Sequence, residues 1–459
     1  MSSSKNDIRE GHYSISYKSP NNEFKHNSNK LETNQDGQIP KDNYMMVYFT
    51  FFLLGLATVL AWNVFTTASV YFHSRFIGTP FVDYFENYFS IIYMVPDLLF
   101  LGYAIYFQKS GNMSRRITIS LLSLITIFMM VAITTQVNLF TPTGYFYFII
   151  FLMFLSGTFA AYLQNGVFAV VSQFSPIYMQ AVMSGQGLAG VIVSVFEIVS
   201  AITIENKKTP TEAELSQMAL ACFLFSMLMA LLSIITYFIL TFSPLYLHYF
   251  PPQETLIIHP IDQTLSNHSL QSTFNRIQLL CFAVFYDFII TLGLYPSITA
   301  FIRSTTPIQN RYLFQQDYLF IPIHFLIFNI FDWIGRSLPG FKFLDITSKY
   351  HLLIFSLVRT IFILLFLFSN VDVGMYGKRI VPLLITNDWI YFLVLSLFGF
   401  TNGYLASLCM VAGPQVFGVV KDLAGNLLNF FMILGLVGGS LLSFPLRALS
   451  CGCNPFTAN

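Results

Sequence analysis

The sequence predicts an all-α polytopic membrane protein with eleven transmembrane helices, and three observations support this fold class. Of the 459 residues, 55% are hydrophobic and only 10% are charged, which is too few charges to cover a water-soluble domain. Uninterrupted apolar runs recur along the chain, each long enough to cross a bilayer as a helix. The runs also lack the alternating pattern of a transmembrane β-barrel. Because backbone groups in lipid must be hydrogen-bonded within their own segment, we expect helices throughout.

Eleven runs of spanning length follow one another and divide the chain into regions. They are residues 44–72, 86–107, 117–139, 145–172, 185–204, 216–242, 277–302, 318–338, 350–370, 388–412 and 425–449. The predicted regions are a disordered cytoplasmic tail at 1–43, an N-terminal six-helix bundle at 44–242, a cytoplasmic linker loop at 243–276, a C-terminal five-helix bundle at 277–449 and a short tail at 450–459. The first tail is rich in Ser, Asn and Lys and has too few apolar residues to bury a core. Basic residues in that tail and in the loop after the second run favour a cytoplasmic N-terminus.

Composition and motifs exclude several classes of protein. The net charge of +1 gives no reason to expect a nucleic-acid partner. The five cysteines are odd in number and match neither a disulfide framework nor a zinc site. We find no metal-ligand cluster, nucleophile elbow or phosphate-binding glycine loop in the sequence. We therefore predict that the chain is not an enzyme and uses no cofactor or metal.

The eighth run contains the most informative polar residues. Asn329, Asp332 and Arg336 are spaced three and four residues apart, so a helix places all three on one face. Ionised groups at membrane depth cost roughly 3 kcal/mol each, so this face must look toward a bundle interior or a water-filled path. Substrate binding and a structural ion pair between two helices both fit the pattern.

Polar residues in two earlier runs are candidates for substrate contact. Trp62 and Asn63 lie well inside the first run rather than at its end, where membrane tryptophans usually occur. The indole of Trp62 is suited to stacking on a flat ring, and simple packing explains it equally well. The amide of Gln164, in the fourth run, suits either hydrogen bonding between helices or substrate recognition.

Small residues with interspersed amides indicate close helix packing. The fifth run begins with Gly185, Gln186, Gly187 and, three residues later, Gly190, a pattern that allows close backbone approach. Asn402 follows in the tenth run, again beside a glycine. We predict that these residues, together with Asn63, form packing or gating surfaces that move during function.

Three further carboxylates lie inside apolar runs. Asp97, Glu197 and Asp287 can be paired, can line a path or can form part of a proton relay, and the sequence leaves these options open. Arg359 is a further buried ionisable group.

Ordered motifs across the runs resemble the equilibrative nucleoside transporter family, of the solute carrier family 29 type. The motifs are Trp62-Asn63 with Thr67-Ala68, Tyr71-Phe72, the residues from Ser184 to Gly190, Thr291-Leu292 with Pro296, Phe328-Asn329 with Asp332 and Gly335-Arg336, and Asn402-Gly403-Tyr404. The resemblance implies a six-plus-five arrangement similar to the major facilitator fold. It further implies that Trp62 lines a nucleobase pocket, that Gln164 hydrogen-bonds the base, and that Asp332 with Arg336 contacts the ribose hydroxyls.

The chain departs from the family pattern at Ala61, where a proline is common, and at Asp97 and Asp287. From the resemblance we expect facilitated diffusion of nucleosides, with nucleobases as a further class, by alternating access. The alternatives are proton-coupled transport through Asp97, Glu197 and Asp287, and a nucleoside-binding receptor that transports nothing. The expected partners are a small-molecule nucleoside and the lipid bilayer, without nucleic acid, and the oligomeric state is open. We expect the plasma membrane, with an internal organelle membrane as the alternative.

Overall fold

The computed structural model describes residues 40, 42, 45–82, 85–107, 112–137, 139–207, 211–250, 264–340, 348–372 and 379–452. The first half contains α1 (Met46–Thr67), α2 (Ser69–Arg75), α3 (Phe85–Tyr106), α4 (Met113–Gln136), α5 (Pro142–Val171), α6 (Pro176–Lys207), α7 (Glu212–Thr241) and α8 (Pro244–Tyr249). The second half contains α9 (Thr264–Leu294), α10 (Asp317–Ser337), α11 (Lys349–Val358), α12 (Ile361–Leu367), α13 (Asp388–Ala412) and α14 (Lys421–Cys451). Short 3₁₀ turns connect several of them.

Within these described ranges, eleven helical spans are long and apolar enough to cross a membrane. Each coincides with one of the predicted runs. α11 and α12 together form a single span, while α2 and α8 are too short to count separately. The prediction of an all-helical chain with eleven spans is confirmed.

Local sequence signals fix several helix ends. Asn112 precedes α4 and its side chain accepts hydrogen bonds from the first turn of that helix. Thr141 caps α5, which opens with a proline at its first position. Thr211 and Glu214 form a capping box at the start of α7. These caps place the connections outside the apolar runs, where water can satisfy the remaining backbone groups.

Three boundaries differ from the sequence prediction. Residues 264–276 of the predicted linker loop are the first turns of α9, because a helix that leaves the apolar region can continue with polar side chains in water. α8 also lies in that linker, started by the N-cap Ser243. Asp42, placed in the predicted tail, accepts hydrogen bonds from the backbone N–H groups near the start of α1. The rest of that tail, apart from residue 40, lies outside the described residues.

Helix packing follows the two halves of the chain. In the first half, α1 packs against α6 and α7, α3 against α5, and α4 against α5 and α7. In the second half, α9 packs against α14 and α11, and α10 against α13. The halves meet chiefly where α6 contacts α10 and where α14 contacts α5 and α3. These two contacts contain most of the polar residues that the sequence singled out.

Candidate functional site

α10 brings the predicted polar residues to its contacts with α13 and with α6, the latter where the two halves meet. Asp332 and Arg336 are buried, and the Arg336 Nε atom lies 2.7 Å from Asp332 Oδ2 across one helical turn. Asn329, one turn earlier, is half-buried. The helix therefore presents an ion pair and an amide along its length, as the spacing predicts.

The second carboxylate oxygen of Asp332 is bound by α13. Asn402 donates from Nδ2 to Asp332 Oδ1 at 2.6 Å. The other side of the Asn402 amide accepts a hydrogen bond from the Thr291 hydroxyl of α9 at 2.7 Å. Asn402 thus joins three helices and orients the carboxylate.

A second buried ion pair supports this arrangement from behind. Arg359, at the break between α11 and α12, pairs with Asp287 of α9, and both side chains are almost completely buried. The same guanidinium donates to Thr291 Oγ1 at 3.0 Å and to the backbone oxygen of Phe398 at 3.1 Å. Asp287 was one of three predicted proton-coupling candidates, and in the structure its charge is already neutralised by a fixed partner.

The network continues from α10 into the first half. Arg336 donates to Gln186 Oε1 at 3.3 Å, and Gln186 Nε2 donates to the Thr58 hydroxyl of α1 at 3.1 Å. A continuous chain of hydrogen bonds therefore runs from Asp287 in the second half to Thr58 in the first. Gln186 is the residue at which it crosses between the halves.

The rest of the α6–α10 interface is also polar. Asn329 donates to the Ser194 hydroxyl at 2.7 Å, and the Trp333 indole donates to Ser184 at 3.1 Å. The hydroxyls of Ser184 and Ser337 lie 2.9 Å apart. Because hydroxyl and amide bonds exchange readily with water, this interface is held by contacts that can be broken and remade.

The glycines at the start of α6 face two different neighbours. A Cβ on Gly185 would overlap the backbone of α1, inside the first half. A Cβ on Gly187 would lie 2.9 Å from Arg336 Cδ, and one on Gly190 would lie 2.6 Å from Asn329 Oδ1. Gly187 and Gly190 therefore allow α6 to approach the polar face of α10.

A second polar cluster joins α3, α5 and α14. Gln164 donates from Nε2 to Asp97 Oδ1 at 3.0 Å, and its Oε1 accepts from Asn429 Nδ2 at 3.2 Å. All three residues are at most 4% exposed. Asn429 belongs to the second half, so this cluster also crosses between the halves.

Trp62 lies close to that cluster. Its ring packs on the ring of Tyr93 with centroids 5.4 Å apart, and Asp97 follows Tyr93 by one turn of α3. Trp62 is half-buried and its neighbour Asn63 lines a cleft between α1, α6 and α7. Trp62 thus contacts Tyr93, which lies one turn of α3 from Asp97, the hydrogen-bond partner of Gln164.

Glu197 differs from the other carboxylates. It lies one turn beyond Ser194 on α6, and it forms no hydrogen bond or ion pair with another described residue. The described residues also contain no group of three or more His, Cys, Asp or Glu side chains placed to hold a metal ion.

Comparison with known proteins identifies the family. The family model described as nucleoside transporter matches residues 149–448. The chain belongs to this family. The equilibrative nucleoside transporter 1 of Rattus norvegicus is 30% identical over 470 residues, and the alignment covers 89% of this chain and 98% of the rat protein. The resemblance seen in the motifs is therefore confirmed over most of the chain.

Solved structures identify the fold of this nucleoside transporter family member. The fucose:proton symporter FucP of E. coli matches with a TM-score of 0.56 at 11% identity, covering 90% of this chain and 94% of that chain. The proton:xylose symporter XylE, a major facilitator superfamily protein, matches with a TM-score of 0.57 at 10% identity, covering 87% of each. The predicted major facilitator-like fold is confirmed. The family is one of transporters, in agreement with the prediction that the chain is not an enzyme.

Sequence reasoning missed several residues of this family member's polar core. Asn429 is not among the predicted site residues, although Asn426 and Asn429 lie three residues apart in a run otherwise rich in Leu, Phe and Gly. That spacing puts both amides on one face and was a usable signal. Ser194 gives no signal of its own, because a membrane serine usually bonds back to its own helix.

Proposed function

We propose that this transporter moves nucleosides across the membrane by facilitated diffusion, with nucleobases as a further substrate class. The observation that carries the proposal is the buried Asp332–Arg336 pair, which lies where two halves of a major facilitator fold meet. Substrate sites of such transporters lie near the membrane midplane between the halves. The names of the relatives add the substrate class.

The proposed substrate site combines three kinds of contact. Trp62 offers a flat face for stacking, and Gln164 offers an amide that can donate and accept. Asp332 accepts and Arg336 donates, which together match two neighbouring ribose hydroxyls. When a ribose binds there, its hydroxyls replace hydrogen bonds that Asp332 and Arg336 form with each other and with Asn402. Asn329 contributes a further amide on the same helix.

The proposed mechanism is alternating access around this site. α6 and α10 close one end of the path through Asn329, Ser184 and Ser337, and their bonds must break for that end to open. The concentration gradient of the substrate drives net movement, and its different affinities for the two states shift their populations, so neither ATP nor a cofactor is needed. Gln186, Gly187 and Gly190 lie at the α6–α10 surface that moves, whereas Asn402 holds Asp332 from inside the second half.

Proton-coupled transport is the second candidate, and specific observations favour it. Among the described residues, Glu197 forms no hydrogen bond or ion pair, and Asp97 accepts hydrogen bonds only from the Gln164 amide. A buried carboxylate without a cation is stabilised by binding a proton. Asp287 is less suited to this role because it already forms an ion pair with Arg359.

We place the transporter in the plasma membrane, with its N-terminus in the cytoplasm.

Uptake of labelled adenosine and uridine into proteoliposomes tests the proposal. Saturable uptake that ends at equal concentrations, with or without an inward proton gradient, is expected for facilitated diffusion. Accumulation only under the gradient supports the coupled alternative. No uptake of either nucleoside by folded protein contradicts both.

Replacing Asp332 by alanine tests the site within the same assay. The change leaves Arg336 buried without its partner and removes the acceptor for ribose, so we expect uptake to fall by about 100-fold or more. The matched control is Asp317→Ala on the same helix, whose carboxylate is exposed and pairs with Arg311. The control should keep uptake within about twofold of the unmodified protein. Normal uptake by Asp332→Ala, at equal membrane insertion, would contradict the assignment.

A further inference from the structure

The amide of Gln164 is bonded at both ends. Its nitrogen lies 3.0 Å and 3.3 Å from the two oxygens of Asp97, and its oxygen lies 3.2 Å from Asn429 Nδ2. Gln164 is 3% exposed, Asp97 is 4% exposed and Asn429 is fully buried. The amide therefore has little freedom to turn in this state.

Asp97 also fixes which way the amide points. An ionised carboxylate only accepts hydrogen bonds, so the NH₂ group of Gln164 faces Asp97. The oxygen of Gln164 then accepts from Asn429, whose own oxygen has no hydrogen-bond partner among the described residues, so the Asn429 amide can follow either orientation. Reversing the Gln164 amide would oppose two oxygens at Asp97 and leave a buried polar group without a partner.

The described residues leave one N–H of the fixed Gln164 amide, and one acceptor position on its oxygen, without a hydrogen bond. Those two positions have a fixed order in space. Nucleobases differ in the order of donor and acceptor along the edge that would bond this amide. Adenine and cytosine carry an exocyclic NH₂ donor next to a ring-nitrogen acceptor. Hypoxanthine and uracil carry an exocyclic oxygen acceptor next to a ring N–H donor, which is the reverse.

We propose that an ionised Asp97 locks the Gln164 amide in one orientation and so makes the transporter distinguish amino-bearing bases from oxo-bearing bases. This inference rests on the proposed function, in which Gln164 reads the base and Trp62 stacks on it. The Trp62–Tyr93 contact puts the stacking ring close to Asp97, which lies one turn of α3 beyond Tyr93. Asp97 acts through Gln164 and is a positioning residue.

The test compares four labelled nucleosides in proteoliposomes: adenosine, cytidine, inosine and uridine. The measured quantity is the ratio of uptake efficiency, Vmax/KM, for adenosine over inosine and for cytidine over uridine. In the unmodified protein we expect both ratios to differ from one in the same direction, by about tenfold. Because each ratio is taken within one protein, differences in expression cancel.

Asp97→Asn is the principal variant. Its amide has nearly the volume of the carboxylate but can present either NH₂ or oxygen, so Gln164 is free to turn. We expect both ratios to fall to within about twofold of one, chiefly through KM. Asn429→Ala removes the bond to the Gln164 oxygen but leaves Asp97 in place, so it should change both ratios less than Asp97→Asn does. Asn370→Ala, which removes an amide that bonds Arg303 instead, should leave both ratios unchanged.

The outcomes separate this inference from the proposed function. Unmodified protein that transports all four nucleosides with ratios of one overturns the inference and leaves the proposed function standing. Ratios retained by Asp97→Asn also overturn it. Absence of uptake of all four by the unmodified protein overturns both. If the variant does not transport, its stabilisation against thermal unfolding by each nucleoside gives the ratio of binding affinities, which should likewise lie within about twofold of one.

Discussion

α10 packs against two helices in two different ways. Toward α13, inside the second half, glycines face backbone: Gly403 lies against the Asp332 carbonyl and Gly335 against the Phe400 carbonyl. Toward α6, across the two halves, Gly187 and Gly190 are nearest to the side chains of Arg336 and Asn329. A Cβ on Gly187 would also lie 3.0 Å from Trp333 Cα, so backbone approaches backbone at that one point of the α6 face. The α13 face is thus a contact of backbone with backbone, and the α6 face is mainly a contact with side chains.

The difference assigns separate roles to the two faces. A backbone in contact with a glycine cannot move without displacing its whole helix, whereas a side chain can change rotamer. The same distinction holds in the first half, where Gly55 lies against the backbone of Val182 and Gly157 against that of Tyr93. We infer that contacts inside each half are permanent and that the α6–α10 contact is made to come apart.

Gly403→Ala is expected to have the largest effect. Its methyl group would overlap the Asp332 carbonyl of α10, so the two helices must separate, at a cost of about 3 kcal/mol or more. We expect little folded protein, measured by size-exclusion profile and thermal unfolding in detergent. The control is Gly102→Ala between α3 and α14, where the nearest atom is a ring carbon of Phe430 at 3.3 Å. Equal stability of the two variants would remove the distinction between backbone and side-chain contacts.

Asp287→Ala removes one charge of the buried ion pair inside the second half. The change leaves Arg359 buried without its counterion, which typically costs about 3–5 kcal/mol. Thermal unfolding should shift strongly downward, and uptake should fall because Arg359 no longer orients Thr291 and Asn402. Replacing both partners, with Asp287→Leu and Arg359→Leu together, should recover most of the stability but not the uptake. Recovery of uptake as well would show that the pair only supports packing.

The sequence was sufficient for the helices and for the family because both depend on local signals. Apolar runs define the spans, and the Asp332 and Arg336 spacing defines one polar face of α10. Which helix each small residue contacts is a property of the assembled bundle. Gly185 and Gly187 lie two residues apart and face α1 and α10 respectively.

The sequence also does not show which charged residues pair with each other. Asp287 and Arg359 are separated by more than seventy positions, and nothing local marks them as partners. The same holds for Gln164 and Asn429, which lie in different halves. Three carboxylates that looked alike in the sequence therefore have different surroundings: Asp287 is ion-paired, Asp97 is bonded to an amide, and Glu197 has no partner among the described residues.

Ser194→Ala is expected to have the smallest effect and tests the α6–α10 contact alone. It removes the 2.7 Å hydrogen bond from Asn329, which keeps a weaker bond to the Tyr295 hydroxyl at 3.3 Å. One such bond contributes about 1 kcal/mol, so the closed arrangement should become roughly fivefold less favoured. The unfolding temperature should hardly change, because both halves stay intact.

The closed arrangement can be measured by crosslinking α6 to α10. The hydroxyls of Ser184 and Ser337 lie 2.9 Å apart, so Ser184→Cys with Ser337→Cys should form a disulfide when the contact is closed. We expect oxidation to proceed up to about fivefold more slowly when Ser194→Ala is added. The control is Ser226→Ala, a buried serine of α7 whose hydroxyl bonds only to its own helix, and it should leave the crosslinking rate unchanged. If Ser194→Ala lowers the unfolding temperature while the crosslinking rate stays constant, the α6–α10 contact behaves like the interior of a half, and the distinction between the two faces of α10 fails.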